Sequence, residues 1–317
     1  MLTFLLLCLS YFTAFANAQQ QLEIVLYTDK PSYWLGDTVN VYGYLFFNSG
    51  LVPDGVIALE IDDPTGYELL FRTLHTGTPP STEKIEILSV IPCSSSGTPK
   101  NSFTKGSLAY FNTTVKNHND TSVTFKLTLS SFDSAQGIMD SIRAGFTLLP
   151  DGIGKIIMPF PIPDQAATGE ATVYANTFTN LPKLNGTALS IEKTATFNIT
   201  DGETTSSQTS GTLAQQQPGT FFTNFTVPLY QHPGNNYNVY TTSKYNNQIA
   251  TAQKTIEIRV PDLNGDYSVN VLDLIIVANA LGWTGQPGNI PADVNRDGIV
   301  NVLDLILVAN WLGWELP

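Results

Sequence analysis

The amino-acid sequence predicts a mainly β protein, with two β-sandwiches followed by a small α-helical module at the C-terminus. Three observations predict this fold class. Runs of alternating apolar and polar residues recur up to about residue 260, turn-forming residues separate those runs, and a repeat with helical periodicity follows them. Charged residues make up only 13% of the chain, while Thr, Asn, Ser and Tyr are frequent. That composition is typical of extracellular β-rich proteins.

Residues 1–18 are predicted to form a secretory signal peptide. Leu2 to Leu9 is an almost unbroken apolar run, and Ala16-Asn17-Ala18 supplies the small residues of a cleavage site. A buried N-terminal helix or strand is the alternative. No other stretch reaches the roughly 18 apolar residues that would span a bilayer. We therefore expect a secreted protein, extracellular or associated with a cell surface, with no transmembrane segment.

Residues 22–80 contain the first predicted strands. Between Asp37 and Asn48, one side of a period-2 pattern is apolar and carries Val39, Val41, Gly43, Leu45 and Phe47. The turn Asp63-Pro64-Thr65-Gly66 separates two further strands. These strands are too few to close a core by themselves.

Residues 84–200 form a second strand-rich block, which is long enough for a complete sandwich. Its clearest strand is Ser122 to Ser130, where apolar and polar residues alternate. Residues 201–217 are mostly Thr, Ser, Gln and Gly, a composition that predicts a flexible linker. Strands resume after residue 218 and continue to about residue 259.

Two segments resemble known domain families. Tyr33-x-x-Gly36-Asp37-Thr38-Val39-x-Val41-x-Gly43 resembles the opening of the macroglobulin-like, immunoglobulin-type domains of microbial surface proteins, and Gly219 to Phe225 resembles their closing segment. The middle block is similar to adhesion-related sandwiches at Tyr110 to Asn117 and at Ala166 to Val173. The resemblance implies two immunoglobulin-like sandwiches, with residues 84–200 inserted between residues 22–80 and 218–259 of the other. Three consecutive units are the alternative.

Residues 260–317 contain an internal repeat that predicts two metal-binding loops. Asp262-Leu-Asn264-Gly-Asp266-Tyr-Ser268-Val-Asn270-Val-Leu-Asp273 recurs 31 residues later, beginning at Asp293. Oxygen atoms at positions 1, 3, 5, 9 and 12, with the backbone carbonyl of position 7, suit Ca²⁺, which takes six to eight oxygen ligands. The predicted ligands of two calcium ions are Asp262, Asn264, Asp266, Ser268, Asn270 and Asp273, then Asp293, Asn295, Asp297, Ile299, Asn301 and Asp304.

Charge and ligand type both favour calcium over other occupants of these loops. Residues 261–317 hold six Asp, one Glu and one Arg, and such crowding of negative charge costs free energy unless cations neutralise it. Neither loop contains His or Cys, which argues against zinc. A pair of acidic turns without metal is the alternative.

The repeat resembles a type I dockerin, in its loop spacing, in its single helix ending with Leu-Gly, and in Asp at position 12 where an ordinary EF-hand has Glu. The resemblance implies an EF-hand-like module that docks onto a cohesin-type partner. It also implies partner contacts at positions 10, 11, 18 and 19, which here are Val271, Leu272, Asn279, Ala280, Val302, Leu303, Asn310 and Trp311. Many dockerins carry polar or basic residues there, so the sequence leaves the partner type open. Because both helices are apolar nearly all round, a partner or the chain's own β-sandwich must cover a second side.

The two loops differ at position 6, which makes a sharp turn that usually needs Gly. The first loop has Tyr267 there and the second has Gly298. A bulky residue at positive φ costs on the order of 1 kcal/mol or more. We therefore expect the first calcium site to be the weaker one.

No catalytic constellation is evident, since His75, His118 and His232 lie in different segments and no nucleophile-elbow motif is present. The net charge of -12 argues against nucleic acid. The sequence favours a non-catalytic cell-surface or adhesion protein tethered through its dockerin. The alternative is a carbohydrate-binding accessory component of a polysaccharide-degrading assembly, with a glycan as an additional partner and Tyr237, Tyr240 and Tyr245 as candidate aromatic residues. An enzyme with unfamiliar site residues is a third possibility.

Overall fold

The computed structural model describes residues 21–79, 84–201 and 217–316. The predicted signal peptide and nearly all of the predicted linker lie outside the described residues. Within them the protein is mainly β, with two α-helices near the C-terminus, which confirms the predicted fold class. Neither of these two short helices has the length to cross a membrane.

The strands alternate with turns along almost the whole described chain. In order they are β1 (Leu22–Thr28), β2 (Ser32–Trp34), β3 (Thr38–Phe47), β4 (Gly50–Leu51), β5 (Asp54–Asp62), β6 (Glu68–Gly77), β7 (Ile85–Cys93), β8 (Ser102–Thr104), β9 (Leu108–Asn117), β10 (Val123–Phe132), β11 (Ile138–Leu148), β12 (Ile153–Pro161), β13 (Gly169–Phe178), β14 (Lys193–Thr200), β15 (Thr220–Thr226), β16 (Gly234–Tyr245) and β17 (Gln248–Arg259). A 3-10 turn spans Pro182–Leu184, and the α-helices are α1 (Val271–Asn279) and α2 (Val302–Ala309).

Two sheets combine strands from both sides of the middle block, and together they form what we call the flanking sandwich. One has the order β1-β3-β15, with β4 also paired to β3, and the other has the order β2-β17-β16-β5-β6. In the first, Thr223 lies opposite Val41; in the second, Thr241 lies opposite Leu59. Strand pairing thus connects residues 22–77 with residues 220–259. The predicted discontinuous domain requires such pairing, and its boundaries stay a prediction.

The core of the flanking sandwich follows the period-2 pattern of β3. Val39, Val41 and Leu45 are fully buried between the two sheets. Gly43 continues this inward row because a Cβ there would lie 2.5 Å from the ring of Phe221 on β15 and closer still to the backbone of β1. The inward row of β3 is therefore filled partly by its neighbour, and the opposite row faces solvent.

The middle sandwich is built from residues 85–200 alone. Its sheets have the orders β11-β10-β13-β14-β8 and β12-β9-β7. Phe125, Leu127 and Leu129 on β10 are buried in its core, as the alternation of that segment predicts.

Buried polar contacts join the two sandwiches. Arg72 on β6 is paired with Glu192, 2.8 Å away, and both side chains are nearly buried. Lys183 reaches across to Glu60, Asp62 and Glu68, with the nearest carboxylate oxygen at 2.9 Å. Burial raises the pKa of Glu60 to about 7, although the backbone N–H and the ammonium of Lys183 act in the opposite direction. This interface is therefore ionic and sensitive to pH.

Candidate metal-binding and docking module

Each 31-residue copy of the repeat folds into a twelve-residue loop followed by one helix. Helix α1 begins after Asn270 and helix α2 after Asn301, and both asparagines have extended backbone geometry. The Asn side chain accepts a hydrogen bond from a backbone N–H of the first turn, and the Asp three residues later accepts from the N–H of the same Asn. Loop positions 9 and 12 therefore form a reciprocal capping box that starts each helix.

The first and last carboxylates of each loop hold its ends together. Asp262 accepts hydrogen bonds from the N–H groups of Gly265, Asp266 and Tyr267, at 2.8 to 3.2 Å. Asp273 accepts from Leu263 and Asn264 near the loop start, at 2.7 and 3.2 Å. The second loop repeats this arrangement. Asp293 accepts from Asp297 and Gly298, and Asp304 accepts from Asn295 and Asn301.

The remaining polar side chains point toward the same loop interior. In the first loop, the amide of Asn264 donates to Asp266 at 2.8 Å, and the hydroxyl of Ser268 donates to the other oxygen of Asp266 at 2.8 Å. These two donors lower the pKa of Asp266, with the Ser268 hydroxyl as the larger cause. In the second loop, Asn295 donates to Asp297 in the same way, at 2.9 Å.

The six loop carboxylates have no basic partner in the described structure. Asp273, Asp293 and Asp304 are almost fully buried, yet none of the loop aspartates forms a salt bridge to a described residue. Buried carboxylates cost several kcal/mol unless a cation or several hydrogen bonds compensate. The oxygen-only donor set and the lack of a salt bridge to these carboxylates both fit a hard cation such as Ca²⁺.

The acidic side chains do not form a complete metal cluster by themselves. Among the described residues, no group of three or more His, Cys, Asp and Glu side chains is arranged to hold a metal ion. Half of the predicted ligands of each loop are amide or backbone carbonyl oxygens, so Asn264, Asn270 and the carbonyl of Ser268 have to complete the first set. The twelve predicted ligands and the number of ions stay predictions.

Both loops place two residues in the left-handed backbone region, at positions 4 and 6. In the first loop these are Gly265 (φ 73°) and Tyr267 (φ 64°); in the second they are Arg296 (φ 59°) and Gly298 (φ 92°). Each loop therefore contains one glycine and one larger residue at these positions. The expected left-handed conformation of Tyr267 is confirmed, and the second loop has a comparable residue at position 4, so a weaker first calcium site stays a prediction.

The two copies pair with each other as a pseudo-symmetric unit. Val300 accepts a hydrogen bond from Gly282 and donates one to Trp283, both at 2.9 Å. Val269 is the equivalent of Val300 in the first copy. It accepts a hydrogen bond from Gly313 at 2.9 Å and donates one to Trp314 at 2.8 Å. Each loop is thus held by the segment that follows the other helix.

Helices α1 and α2 turn a matched apolar surface toward solvent, which we call the docking face. It consists of Val271, Leu272 and Ile275 with the equivalent residues Val302, Leu303 and Ile306. Each pair is exposed to nearly the same degree, from 61% at the two valines to 48% and 50% at the two isoleucines. Between the helices lies a groove of about 380 Å³ with an apolar lining, formed by Leu274, Ile275, Ala278, Leu305, Ile306 and Ala309.

The eight predicted partner contacts divide into an exposed set and a covered pair. Val271, Leu272, Asn279, Val302, Leu303 and Asn310 are exposed. Ala280 is buried, and Trp311 packs against Trp34 of β2 with ring centroids 6.1 Å apart. The sequence-based contact set did not include Ile275 and Ile306, although both lie between the other exposed residues. The sequence contained a signal for them, because Ile275 and Ile306 occupy the same position in the two copies of the repeat.

The opposite side of the module contacts the flanking sandwich. The indole N–H of Trp314 donates to the carbonyl of Leu229 at 3.0 Å, and the guanidinium of Arg296 binds both carboxylate oxygens of Glu257 on β17 at 2.7 Å. Of the two expected covers, a partner or the chain's own β-sandwich, the sandwich covers part of the module. The docking face remains exposed.

Comparisons with known proteins bear mainly on this module. Residues 260–313 match the family model described as dockerin type I domain. No curated protein matches the chain. Solved structures with similar parts include the C-terminal domain of wzt, which is 11% identical to this chain with a TM-score of 0.32. The match covers 43% of this chain and 92% of that domain. The CARDB domain of a Pyrococcus furiosus protein, in complex with di-metal ions, has 13% identity, 37% and 85% coverage, and a TM-score of 0.24. The alkylpurine DNA glycosylase AlkC of Pseudomonas fluorescens has 11% identity and a TM-score of 0.28; the match covers 38% of this chain and spans only 31% of that enzyme.

Proposed function

We propose, from the type I dockerin module that residues 260–313 form, that this protein is secreted, is non-catalytic, and docks through the module onto a cohesin-type partner on a scaffold or cell surface. Dockerin modules bind calcium and dock onto cohesins in cellulosome-type assemblies. The observation that supports the proposal most directly is the exposed docking face on α1 and α2.

The docking face has the properties of a protein-binding surface. Soluble monomers seldom expose large contiguous apolar patches, and those that do generally use them for binding. Leu272 and Leu303 are about half exposed although the same helices bury Val277 and Val308 on their other side. The contacts with the flanking sandwich described above come from Arg296, Trp311 and Trp314, which lie outside the docking face, so a second protein can reach that face without displacing them.

The loop residues position this face. Asp273 connects the start of the first loop to the start of α1, and Asn270 caps that helix immediately before Val271 and Leu272. Asp304 and Asn301 do the same for α2. Calcium bound by the predicted ligands would neutralise the crowded aspartates. A disordered loop would release the helix start, so the docking geometry depends on the loops.

Two features of the sandwiches support a non-catalytic role. The three histidines make separate contacts: His75 with the carbonyl of Gly77, and His118 with Glu86 at 2.6 Å, while His232 lies in the turn before β16. The carboxylates that do cluster are the ones around Lys183. They lie between the two sandwiches and share the ammonium group of Lys183, an arrangement that fits a structural role.

A binding assay with the full chain, beginning after the predicted signal peptide, tests the proposal. The chain is immobilised and exposed to a panel of purified type I cohesin modules, in calcium chloride and in chelator. We expect at least one cohesin to bind in calcium and to be released by chelator. The double variant Leu272→Asp, Leu303→Asp should weaken binding by at least about thirtyfold, because charged groups replace two central anchors.

Leu149→Asp is the matched control, because Leu149 is 70% exposed and lies in a turn of the middle sandwich. It should leave cohesin binding unchanged. Binding that persists in the double variant would show that the docking face is not the contact surface. Failure of every cohesin to bind the unchanged chain in calcium would refute the proposed function.

A further inference from the structure

The outward side of the β1-β3-β15 sheet carries a cluster of aromatic side chains, which we call the aromatic face. It consists of Tyr27, Tyr42, Tyr44, Phe46 and Phe222. The register places Tyr27 and Phe222 directly opposite Tyr42, on its two neighbouring strands. Tyr44 and Phe46 follow at alternate positions along β3 and therefore point to the same side of the sheet. The five rings form a continuous strip across three strands and along the central one.

The rings lie close enough to act as one surface. Tyr27 and Tyr42 are stacked, with centroids 5.7 Å apart and planes at 25°, and Tyr44 and Phe46 are stacked at 6.0 Å and 28°. The ring of Tyr44 meets that of Tyr27 edge-on at 6.5 Å. Two near-parallel pairs therefore continue into each other, and the strip offers both ring faces and ring edges.

This strip is not needed to close the core. The inward row of β3 already fills the space between the two sheets, and the three tyrosines remain 36 to 45% exposed on the other side. Exposed apolar side chains grouped in one place generally mark a binding surface. Aromatic residues also supply large contact areas at a low cost in conformational entropy, which suits them to recognition.

The charge of the face excludes most classes of ligand. The whole chain has a net charge of -12, but among the outward positions of these strands only Glu23, at one edge, carries a charge. The polar residues beside the rings are neutral: Asn40, Thr220 and Asn224. An anionic chain would find no cation on these strands, and a cationic one would find a single carboxylate. Complementarity therefore favours an uncharged ligand.

The tyrosine hydroxyls favour a ligand that is rich in hydroxyl groups. Within the described structure, Tyr27, Tyr42 and Tyr44 form no side-chain hydrogen bond, so their hydroxyls retain both donor and acceptor capacity. A purely apolar partner would leave these hydroxyls without partners after desolvation, which costs free energy. The surface thus combines flat apolar area with neutral hydrogen-bonding groups at its margins.

The polar segment before β15 contains few groups that could stack on these rings. Residues 202–216 have a single Leu and a single Ala as apolar residues and no aromatic residue.

We propose that the aromatic face binds a neutral polysaccharide chain. Sugar rings present apolar C–H faces and a rim of hydroxyl groups, so they can stack on the tyrosine and phenylalanine rings and exchange hydrogen bonds with the tyrosine hydroxyls and with Asn40 and Asn224. Successive outward residues along β3 lie roughly 7 Å apart. The strip therefore suits consecutive sugars of an extended chain better than one isolated sugar.

The sequence-based candidates for this role lie elsewhere. Tyr237 is completely buried, and the ring of Tyr245 packs against Phe47 at 5.4 Å. The third candidate, Tyr240 on β16, is half-buried. The aromatic face is a separate surface from the docking face, and the proposal does not depend on cohesin binding.

Affinity electrophoresis of the full chain, beginning after the predicted signal peptide, tests the proposal. The protein is run in native gels containing hydroxyethylcellulose, xylan or galactomannan, with polygalacturonate and heparin as charged comparisons. We expect at least one neutral polysaccharide to retard the chain. Tyr42→Ala and Tyr44→Ala should each weaken this binding by about tenfold, the order expected when one aromatic contact is lost.

Two further variants separate stacking from other effects. Tyr44→Phe keeps the ring and should retain most of the binding, while Tyr110→Ala makes the same truncation on β9 of the middle sandwich and should change nothing. Melting curves of all variants establish that they are folded. Light scattering determines whether a second copy covers the face.

Three outcomes would overturn the proposal. The first is that no neutral polysaccharide retards the unchanged chain. The second is that retardation survives in a folded Tyr42→Ala, Tyr44→Ala double variant, or occurs only with the charged polysaccharides. The third is a dimer that dissociates on truncation of these tyrosines, since the aromatic face would then be a contact between two copies.

Discussion

The carboxylate at position 12 of each loop allows the calcium hypothesis to be tested one site at a time. Asp304 is completely buried and accepts hydrogen bonds from the N–H groups of Asn295 and Asn301, at 3.0 and 2.8 Å. Asp304→Asn preserves the shape of the side chain. It removes one negative charge and replaces one accepting oxygen with a donor. The variant should therefore disable the second loop while changing little else.

The effect of Asp304→Asn on the free energy of unfolding has a calcium-dependent part and a calcium-independent part. Without calcium, the substitution loses a hydrogen bond to a charged group, worth about 1.5–3 kcal/mol, and it also removes a buried carboxylate that has no basic partner. These effects oppose each other. With calcium at about 100 times its dissociation constant, each intact site adds about 2.7 kcal/mol to the free energy of unfolding. Two sites should add about 5 kcal/mol, and Asp304→Asn should reduce that increment by half.

Tryptophan fluorescence allows this increment to be measured in the full chain. The chain has four tryptophans: Trp283, Trp311 and Trp314 belong to the module, and Trp34 packs against Trp311. Urea unfolding followed by this signal, in calcium chloride and in chelator, therefore reports on the module and on its contact with the flanking sandwich. The measured quantity is the difference between the two conditions, in which the calcium-independent terms cancel.

Matched variants determine whether the reasoning holds. Asp273→Asn should halve the increment as Asp304→Asn does, the double variant should abolish it, and Asp120→Asn, at an exposed turn of the middle sandwich, should leave it intact. If Asp304→Asn kept the full calcium increment, position 12 would not be a ligand. If the unchanged chain showed no increment, the loops would be acidic turns without metal.

Three further predictions concern the loops and the interfaces. Tyr267→Gly should strengthen calcium binding by the first loop by up to about tenfold, since it relieves one left-handed residue, and titration calorimetry should show the gain; an unchanged affinity would contradict this effect of backbone strain. Trp34→Ala removes the ring that packs on Trp311, so limited proteolysis should release the C-terminal module sooner than in the unchanged chain; equal rates would show that this contact does not hold the module. Glu60 has a pKa raised from 4.5 to about 7, so its contribution to stability is full below about pH 4.5 and is lost as the pH rises through about 7. Glu60→Gln should flatten the decline in urea midpoint between about pH 5 and about pH 8, and an unchanged slope would contradict the assignment.

The sequence was most informative where the structure is local. The loop register, the capping residues Asn270 and Asn301, and the helix starts all follow from a repeat in which equivalent residues lie 31 positions apart. Every hydrogen bond that the loop aspartates accept comes from a residue within twelve positions. Spacing alone therefore predicts which groups meet, and the comparison with known families agrees with the predicted module.

The aromatic face shows what local patterns could not predict. The period-2 pattern of β3 indicated an inward row at Val39, Val41 and Leu45, which implies that Tyr42 and Tyr44 point outward. The pattern did not reveal that Phe222 would lie beside Tyr42, because the two residues are joined only by pairing between strands on opposite sides of the middle block. The sequence-based candidate Tyr237, in contrast, is completely buried on β16, a strand that lies between β17 and β5.

The two loops place their glycine at different left-handed positions. A turn with left-handed residues at positions 4 and 6 can place glycine at either one and accept a cost at the other. The first loop has Gly265 and Tyr267, and the second has Arg296 and Gly298. The exchange has a structural consequence, because the long side chain at position 4 of the second loop reaches Glu257 on β17, while Tyr267 at position 6 of the first loop remains exposed. Among the described residues, the second loop therefore has a salt bridge to the flanking sandwich and the first loop has none. Any difference in calcium affinity between them should arise from that anchoring and should decrease when Glu257 is replaced by Gln.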